Sequence, residues 1–151
     1  WQTYNWLINE SHEKFKIRKN KRIIVCGDSA GGNLTLALLN MCIDQGVQLP
    51  CAILPVYPCT NKLNLGVTTD VKYFTPSNLY CIHDPMLSSE VVRVCMNSYT
   101  QHTELDTKAN YLLSPLFTPD YMLRQYPPTT IYIAELDMLK DNALRMVSRL
   151  L

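Results

Sequence analysis

Val25-Cys26-Gly27-Asp28-Ser29-Ala30-Gly31-Gly32-Asn33-Leu34 contains Gly-x-Ser-x-Gly, directly after a strand-like run and directly before a helix-like one. This is the pattern of a nucleophile elbow. The spacing has a physical cause. A serine that must stand proud of a sheet needs a chain that reverses sharply from strand into helix at Ser29. Such a turn brings neighbouring backbone close, so small residues are expected on either side, at Gly27, Ala30 and Gly31. The serine backbone is expected in a strained φ/ψ region, which persists only where the surroundings enforce it. The new helix points its first N–H groups at the same spot, which favours a developing anion.

Outward from this turn, residues 22–26 form a short apolar, β-branched run of the kind buried in a parallel sheet. Residues 34–44 read as a helix packed under other elements, with Gly46 as its C-cap. Residues 51–56 read as the next parallel strand, which completes a strand–helix–strand unit with a right-handed crossover. Ahead of the turn, residues 1–15 suit an amphipathic helix with Trp6, Leu7 and Phe15 inward, followed by a polar connector at 19–22. Beyond it, 59–87 is irregular, and 88–99 suits a helix with Ser88 as N-cap. A short helix is expected at 120–125, a third strand at 129–134, and a helix over 141–151 with Leu144, Val147 and Leu151 on one face. The alternation of β and α argues for an α/β fold with a mostly parallel sheet.

The 151 residues suffice for one domain with a core. A formal net charge of +1, without a basic block or acidic tail, argues against nucleic acid or a strongly charged substrate. No apolar run reaches the length of a membrane span, and no signal peptide opens the chain. The first residue is Trp1 rather than Met, so the true start is expected upstream. None of the six cysteines forms Cys-x-x-Cys, which disfavours a zinc or thioredoxin-like site. Reduced thiols and an intracellular setting are expected, with Cys26 and Cys42 as small buried hydrophobes. Asn33-Leu34-Thr35 is a formal glycosylation sequon, read as unused because a glycan there would block the elbow.

In a parallel α/β sheet, functional side chains gather past the C-terminal ends of the strands. The third strand is followed by Glu135-Leu136-Asp137-Met138-Leu139-Lys140-Asp141. A carboxylate here can receive the Nδ1–H of a catalytic histidine, fix its tautomer and stabilise the imidazolium. Glu135, Asp137 and Asp141 all qualify. Asp141 is expected as a helix N-cap, and Asp137 is only slightly preferred over Glu135.

Four stretches together resemble the hormone-sensitive lipase family of α/β-hydrolases. They are Gly27-Asp28-Ser29-Ala30-Gly31-Gly32-Asn33-Leu34, Pro55-Val56-Tyr57-Pro58, Ser114-Pro115-Leu116-Phe117-Thr118-Pro119-Asp120, and the run from Tyr126 through Asp137 to Asp141. Asp84-Pro85-Met86-Leu87 and Val94-Cys95-Met96-Asn97-Ser98-Tyr99 bring the chain nearer to the family's namesake than to its shorter bacterial esterases. The resemblance implies an α/β-hydrolase fold, of which residues 1–151 form a partial catalytic domain with the C-terminal half of the sheet. It implies a carboxylic ester hydrolase with a lipid or small acyl-ester substrate, such as an acylglycerol or cholesteryl ester, and no metal or organic cofactor. It assigns Ser29 as nucleophile, Asp137 as triad acid, the Ala30 N–H as one oxyanion donor, and Gly31 and Gly32 as the residues that let the helix approach. Met138 stands where the family usually has proline. A cytoplasmic setting, association with a lipid-droplet surface and a homodimer are compatible with the likeness.

The family's His-Gly-Gly-Gly oxyanion loop has no counterpart in these residues, and no histidine follows Asp137. The three histidines, His12, His83 and His102, all precede the acid and read as surface or structural residues. Tyr73, Phe74, Leu79, Tyr80 and Met86 are candidates to wall an acyl pocket, with plain core the alternative. The rival class is a ligand-binding receptor or pseudoenzyme, as in the plant gibberellin receptors, which keep the serine and have lost the histidine. Residues 1–151 alone are expected to be inactive and to fold poorly, because base, oxyanion loop and neighbouring strands are missing. Ester hydrolysis by this polypeptide that vanishes in Ser29→Ala would refute that expectation.

Overall fold

The computed structural model describes residues 1–16, 18, 22–62, 75–100 and 110–151. Its order is α1 (Gln2–Asn9), α2 (Ser11–Phe15), β1 (Ile24–Asp28), α3 (Ala30–Gln45), β2 (Ala52–Val56), α4 (Pro76–Tyr80), α5 (Ser89–Thr100), a 3₁₀ turn (Pro115–Phe117), α6 (Asp120–Leu123) and α7 (Lys140–Leu150). The connector residues 19–21, Tyr73, Phe74 and His102 lie outside the described residues.

β1 and β2 pair in parallel, with Ile24 opposite Ala52 and Asp28 opposite Val56. The expected third strand is present in its pairing but is broken in the middle. Ile53 N–H donates to Pro128 O (3.1 Å), Thr130 N–H to Ile53 O (3.1 Å), Tyr132 N–H to Pro55 O (3.1 Å) and Tyr57 N–H to Tyr132 O (2.7 Å). The missing rung is the one Pro55 would donate, and proline has no N–H. The ladder therefore splits into two parallel bridges, Ile53 to Thr129 and Val56 to Tyr132.

α3 covers this sheet with Leu36 and Leu39, which pack with Ile53, Leu116, Leu123 and Met146 in the main core. Each such side chain contributes about 1.5–3 kcal/mol by leaving water. Gly46, at φ 60°, ends α3, and the Gly46 and Val47 N–H groups return to Ile43 O and Cys42 O. Fully buried Asn40 ties α3 to three separated stretches. Its Nδ2 donates to Thr118 Oγ1 (2.8 Å) and Tyr111 O (3.3 Å), and its Oδ1 accepts from Tyr126 Oη (2.7 Å). Burial drives the Tyr126 phenol up to about 12, so it stays a donor at any ordinary pH.

Several expectations are corrected. The helix over 1–15 breaks at Glu10; Leu7 packs beside buried Tyr4, whose hydroxyl reaches Gln48 O at 2.9 Å, and Trp6 is partly buried, but Phe15 is exposed. β1 is covered on one face only, and there only partly, at Val25 and Gly27; Ile24 is 66% exposed and Cys26 is exposed, because nothing among the described residues covers that row. Cys42 is buried as expected. The inward face of α7 is Asn142, Ala143 and Met146, not Leu144, Val147 and Leu151. The helix starts one residue earlier than expected, and Arg149, one turn after Met146, bonds Leu116 O and Asp120. Among the described residues no helix is long and apolar enough to cross a membrane.

The steric rule at the turn is also more specific than the pattern suggested. A Cβ on Gly27 would meet Gly31 O at 2.3 Å, and one on Gly32 would meet Pro58 Cβ at 2.9 Å. A Cβ on Gly31 meets nothing nearer than Asp28 Oδ1 at 3.8 Å, so Gly31 is needed for its backbone position and not for lack of side chain. In urea unfolding of the full-length protein, Gly27→Ala should lose about 1–3 kcal/mol or more. Gly31→Ala should change stability by less than about 1 kcal/mol.

Candidate active site

Ser29 sits between the end of β1 and the first turn of α3 with φ 50° and ψ −114°. A non-glycine residue held there stores roughly 1–3 kcal/mol of strain, and only opposing bonds keep it in place. Those bonds are present: Ser29 N–H donates to Val56 O (2.9 Å), and Ser29 O accepts from Asn33 N–H (3.1 Å) and Cys59 N–H (3.5 Å). Serine before a helix ordinarily caps an N–H of the first turn. Ser29 makes no such side-chain cap. Its hydroxyl is left over, half-buried, at the point where the first-turn N–H groups of α3, including that of Ala30, have no intrahelical acceptor. Asp28, the last residue of β1, is exposed.

Asn33 braces the turn from below. Its Nδ2 donates to Cys59 O (2.7 Å) and Leu113 O (3.0 Å), and the residue is buried. The amide of the sequon is thus committed inside the fold. Beside Ala30 opens an apolar pocket of about 170 Å³, walled by Leu34, Cys59, Leu113 and, from α5, Cys95, Met96 and Tyr99. The expected pocket residues Tyr80 and Met86 are 88% and 87% exposed and do not line it, nor does exposed Leu79. The α5 residues were missed because their helical spacing reads as an ordinary amphipathic face.

The three carboxylates after the third strand separate cleanly. Glu135 is exposed and pairs with Lys140 Nζ at 2.9 Å. Asp141 is not the N-cap of α7, which is Leu139; its Oδ2 accepts the Ser77 N–H of α4 at 2.8 Å. Asp137 is half-buried, and its Oδ1 accepts the Leu139 N–H at 2.8 Å. Burial raises its carboxyl above the usual range, the Leu139 N–H opposes that, and the Asp84 carboxylate adds to it. The backbone N–H of Cys59 reaches Ser29 O. Burial pushes the Cys59 thiol up to about 12, so it stays neutral, and the Asp137 carboxylate is among the groups that raise it. His12 lies on α2, 3.8 Å from Glu13, and His83 is exposed in the turn after α4. Among the described residues no group of three or more His, Cys, Asp or Glu could hold a metal ion.

A parallel sheet crossed by a helix, with a strained serine at the strand-to-helix turn and a carboxylate past the third strand, defines a class of α/β hydrolases. The chain belongs to the alpha/beta hydrolase fold family, whose model matches residues 1–151. It is 34% identical over 94 residues to hormone-sensitive lipase of Mus musculus, a match covering 59% of this chain and 11% of that protein. An esterase of Acinetobacter venetianus is 30% identical over 127 residues, covering 84% of this chain and 38% of the esterase. Carboxyl esterase 2 of Tuber melanosporum superposes with a TM-score of 0.80 at 25% identity, over 97% of this chain and 44% of that one. Brefeldin A esterase, described as a bacterial homologue of human hormone sensitive lipase, gives a TM-score of 0.81 at 20% identity over 99% of this chain and 40% of its own. The chain thus spans less than half the length of these relatives. The motif-based resemblance to the hormone-sensitive lipase family and the α/β-hydrolase fold are both borne out.

Asp137 yields a stability prediction with a definite sign. Its folded carboxyl is raised, so folding favours the protonated form. That contribution is present below the unfolded carboxylate value and is lost as pH rises through the raised folded one. Asp137→Asn should therefore melt above wild type at neutral pH, with the gap closing in acid. A pH series of melting temperatures checks this.

Proposed function

We propose that the full-length protein is a serine carboxylic-ester hydrolase working through an acyl-enzyme. One observation carries the reading: Ser29 is held at φ 50°, ψ −114° by bonds to both of its backbone polar groups, and its hydroxyl caps nothing. The names of its relatives, lipase and esterases, support it.

Ser29 Oγ attacks the ester carbonyl carbon while its proton passes to an imidazole. The Ala30 N–H, at the positive end of α3, donates to the oxyanion; one such donor is worth about 2.7–4 kcal/mol. The imidazolium returns the proton to the leaving alcohol, and water then hydrolyses the acyl-enzyme by the same route. Asp137 accepts the imidazole Nδ1–H and stabilises its cation. The base is assigned to a histidine outside these 151 residues, because His12, His83 and His102 all precede the acid, against the Ser-Asp-His order of the fold. The pocket beside Ala30 receives the acyl group. At about 170 Å³ it is close to the ~150 Å³ cavity that holds benzene, which favours a short acyl chain.

The test uses full-length protein and p-nitrophenyl esters from acetate to hexanoate. Wild type should turn over and be labelled by a fluorophosphonate at Ser29; Ser29→Ala should lose roughly 10³-fold or more in kcat. Equal rates for the two proteins would overturn the proposal. Tight binding of a small ester without turnover or labelling would define a receptor instead.

A further inference from the structure

Asp137 lies in an irregular stretch between the third strand segment and α7, and its own loop holds it by only a local turn. Leu139 N–H reaches its carboxylate (2.8 Å) and Lys140 N–H its carbonyl (3.1 Å). The stronger hold comes from α4. The carbonyl of Met138, the next residue, accepts from Asn78 Nδ2 (2.7 Å) and from Ser77 Oγ (3.0 Å). The grip is reciprocal: Asp141 Oδ2 accepts Ser77 N–H (2.8 Å), and Ser77 Oγ accepts Asp141 N–H (3.3 Å).

α4 is built to present these donors. Thr75 caps it, Pro76 opens it, and Asn78 Oδ1 accepts from both Thr75 N–H (2.9 Å) and Thr75 Oγ1 (2.9 Å) in a capping box. Asn78 therefore has one amide face committed to its own helix and the other to Met138, which fixes its orientation. Thr75, Ser77 and Asn78 are all buried, so water does not compete for these bonds. A carboxylate that orients an imidazole must keep its direction to within about 10–20°. The Met138 carbonyl and the Leu139 N–H belong to one peptide plane, so by holding that carbonyl α4 fixes the N–H that grips the Asp137 carboxylate.

We propose that Ser77 and Asn78 are positioning residues: through the Met138 carbonyl they set the direction in which Asp137 meets the catalytic imidazole. This rests on the reading of Asp137 as the triad acid. The other titratable groups that couple electrostatically to Asp137 are Asp84 from the turn before α5, Cys59 after β2 and Cys81 at the end of α4. The nearby Lys140 cation is paired with Glu135. Asp84 is itself held, accepting from Met86 N–H and Leu87 N–H through Oδ1.

The experiment uses the full-length protein and one neutral short-chain p-nitrophenyl ester. Ser77→Ala and Asn78→Leu should lower kcat about 10–100-fold with KM within about two-fold. The acid limb of kcat/KM should move to lower pH, because a misdirected carboxylate no longer stabilises the imidazolium. Ser77→Thr keeps the hydroxyl and should restore both rate and limb. Ser77→Ala added to Asp137→Asn should cost little more than Asp137→Asn alone. Should Asn78→Leu fail to fold, Ser77→Ala, which removes one hydroxyl, decides the matter. A fall in rate with an unmoved acid limb, additive with Asp137→Asn, would make the bonds merely structural and overturn the proposal. Full activity in Asp137→Asn would instead overturn Asp137 as the acid, and a wild type inert to esters the hydrolase reading; the proposal falls with either.

Discussion

Everything in this fold is arranged around the backbone contact between Gly27 and Gly31. A single added carbon on Gly27 would sit 2.3 Å from the Gly31 carbonyl oxygen, so strand end and helix start touch main chain to main chain. A second close approach places Gly32 against Pro58, just past the end of β2. With α3 pressed this closely on both strands, the residue linking strand to helix cannot relax into an ordinary conformation. Ser29 carries that strain, and its bonds to Val56, Asn33 and Cys59 hold it there. Strain in a serine whose hydroxyl makes no cap is the physical basis for reading it as a nucleophile.

Besides the apolar core, buried polar groups fasten other described stretches to this junction. Asn33 and Asn40, on α3, reach Cys59, Leu113, Tyr111, Thr118 and Tyr126, so one helix fixes several stretches that have no regular structure of their own. Such bonds add modestly to stability but strongly to uniqueness, because an alternative packing would leave each amide unsatisfied in a dry interior. The third strand segment depends on tertiary contact in the same way. Pro55 deletes a rung of its ladder, and the flanking rungs at Ile53 and Tyr57 hold the segment, with Glu135 to Lys140 beyond it, against the sheet.

The two side chains assigned to the chemistry reach the site by different routes. Ser29 is presented by its immediate neighbours in sequence, through glycine sterics and the geometry of one turn. Asp137 is presented by the far end of the chain, and its surroundings come from Cys59, Cys81 and Asp84 as well as its own loop. Its desolvated carboxyl and the strained serine both trade stability for local order, as residues at functional sites commonly do.

The elbow, the strands on either side of it, the end of α3 at Gly46 and the α/β class were legible in the sequence, because each depends on contacts between residues close along the chain. The sequence preferred Asp137 over Glu135 only slightly and left the surroundings of Glu135, Asp137 and Asp141 unread, since these rest on which carboxylate is half-buried, which pairs with Lys140 and which accepts the Ser77 N–H of α4. α4 itself left a local trace in Thr75-Pro76-Ser77-Asn78, a cap followed by proline and a capping-box partner, but its hydrogen-bond partner lies across the fold at Met138. The exposure of Cys26, the buried face of α7 and the walls of the pocket were likewise decided by neighbours distant in sequence. By itself, then, the sequence determined where the chain must turn sharply and which serine stands at the turn, because steric exclusion acts over a few residues. Only the tertiary structure decided which carboxylate is half-buried and which apolar side chains wall the pocket beside Ala30, because burial and hydrogen-bond partners are properties of the assembled neighbourhood.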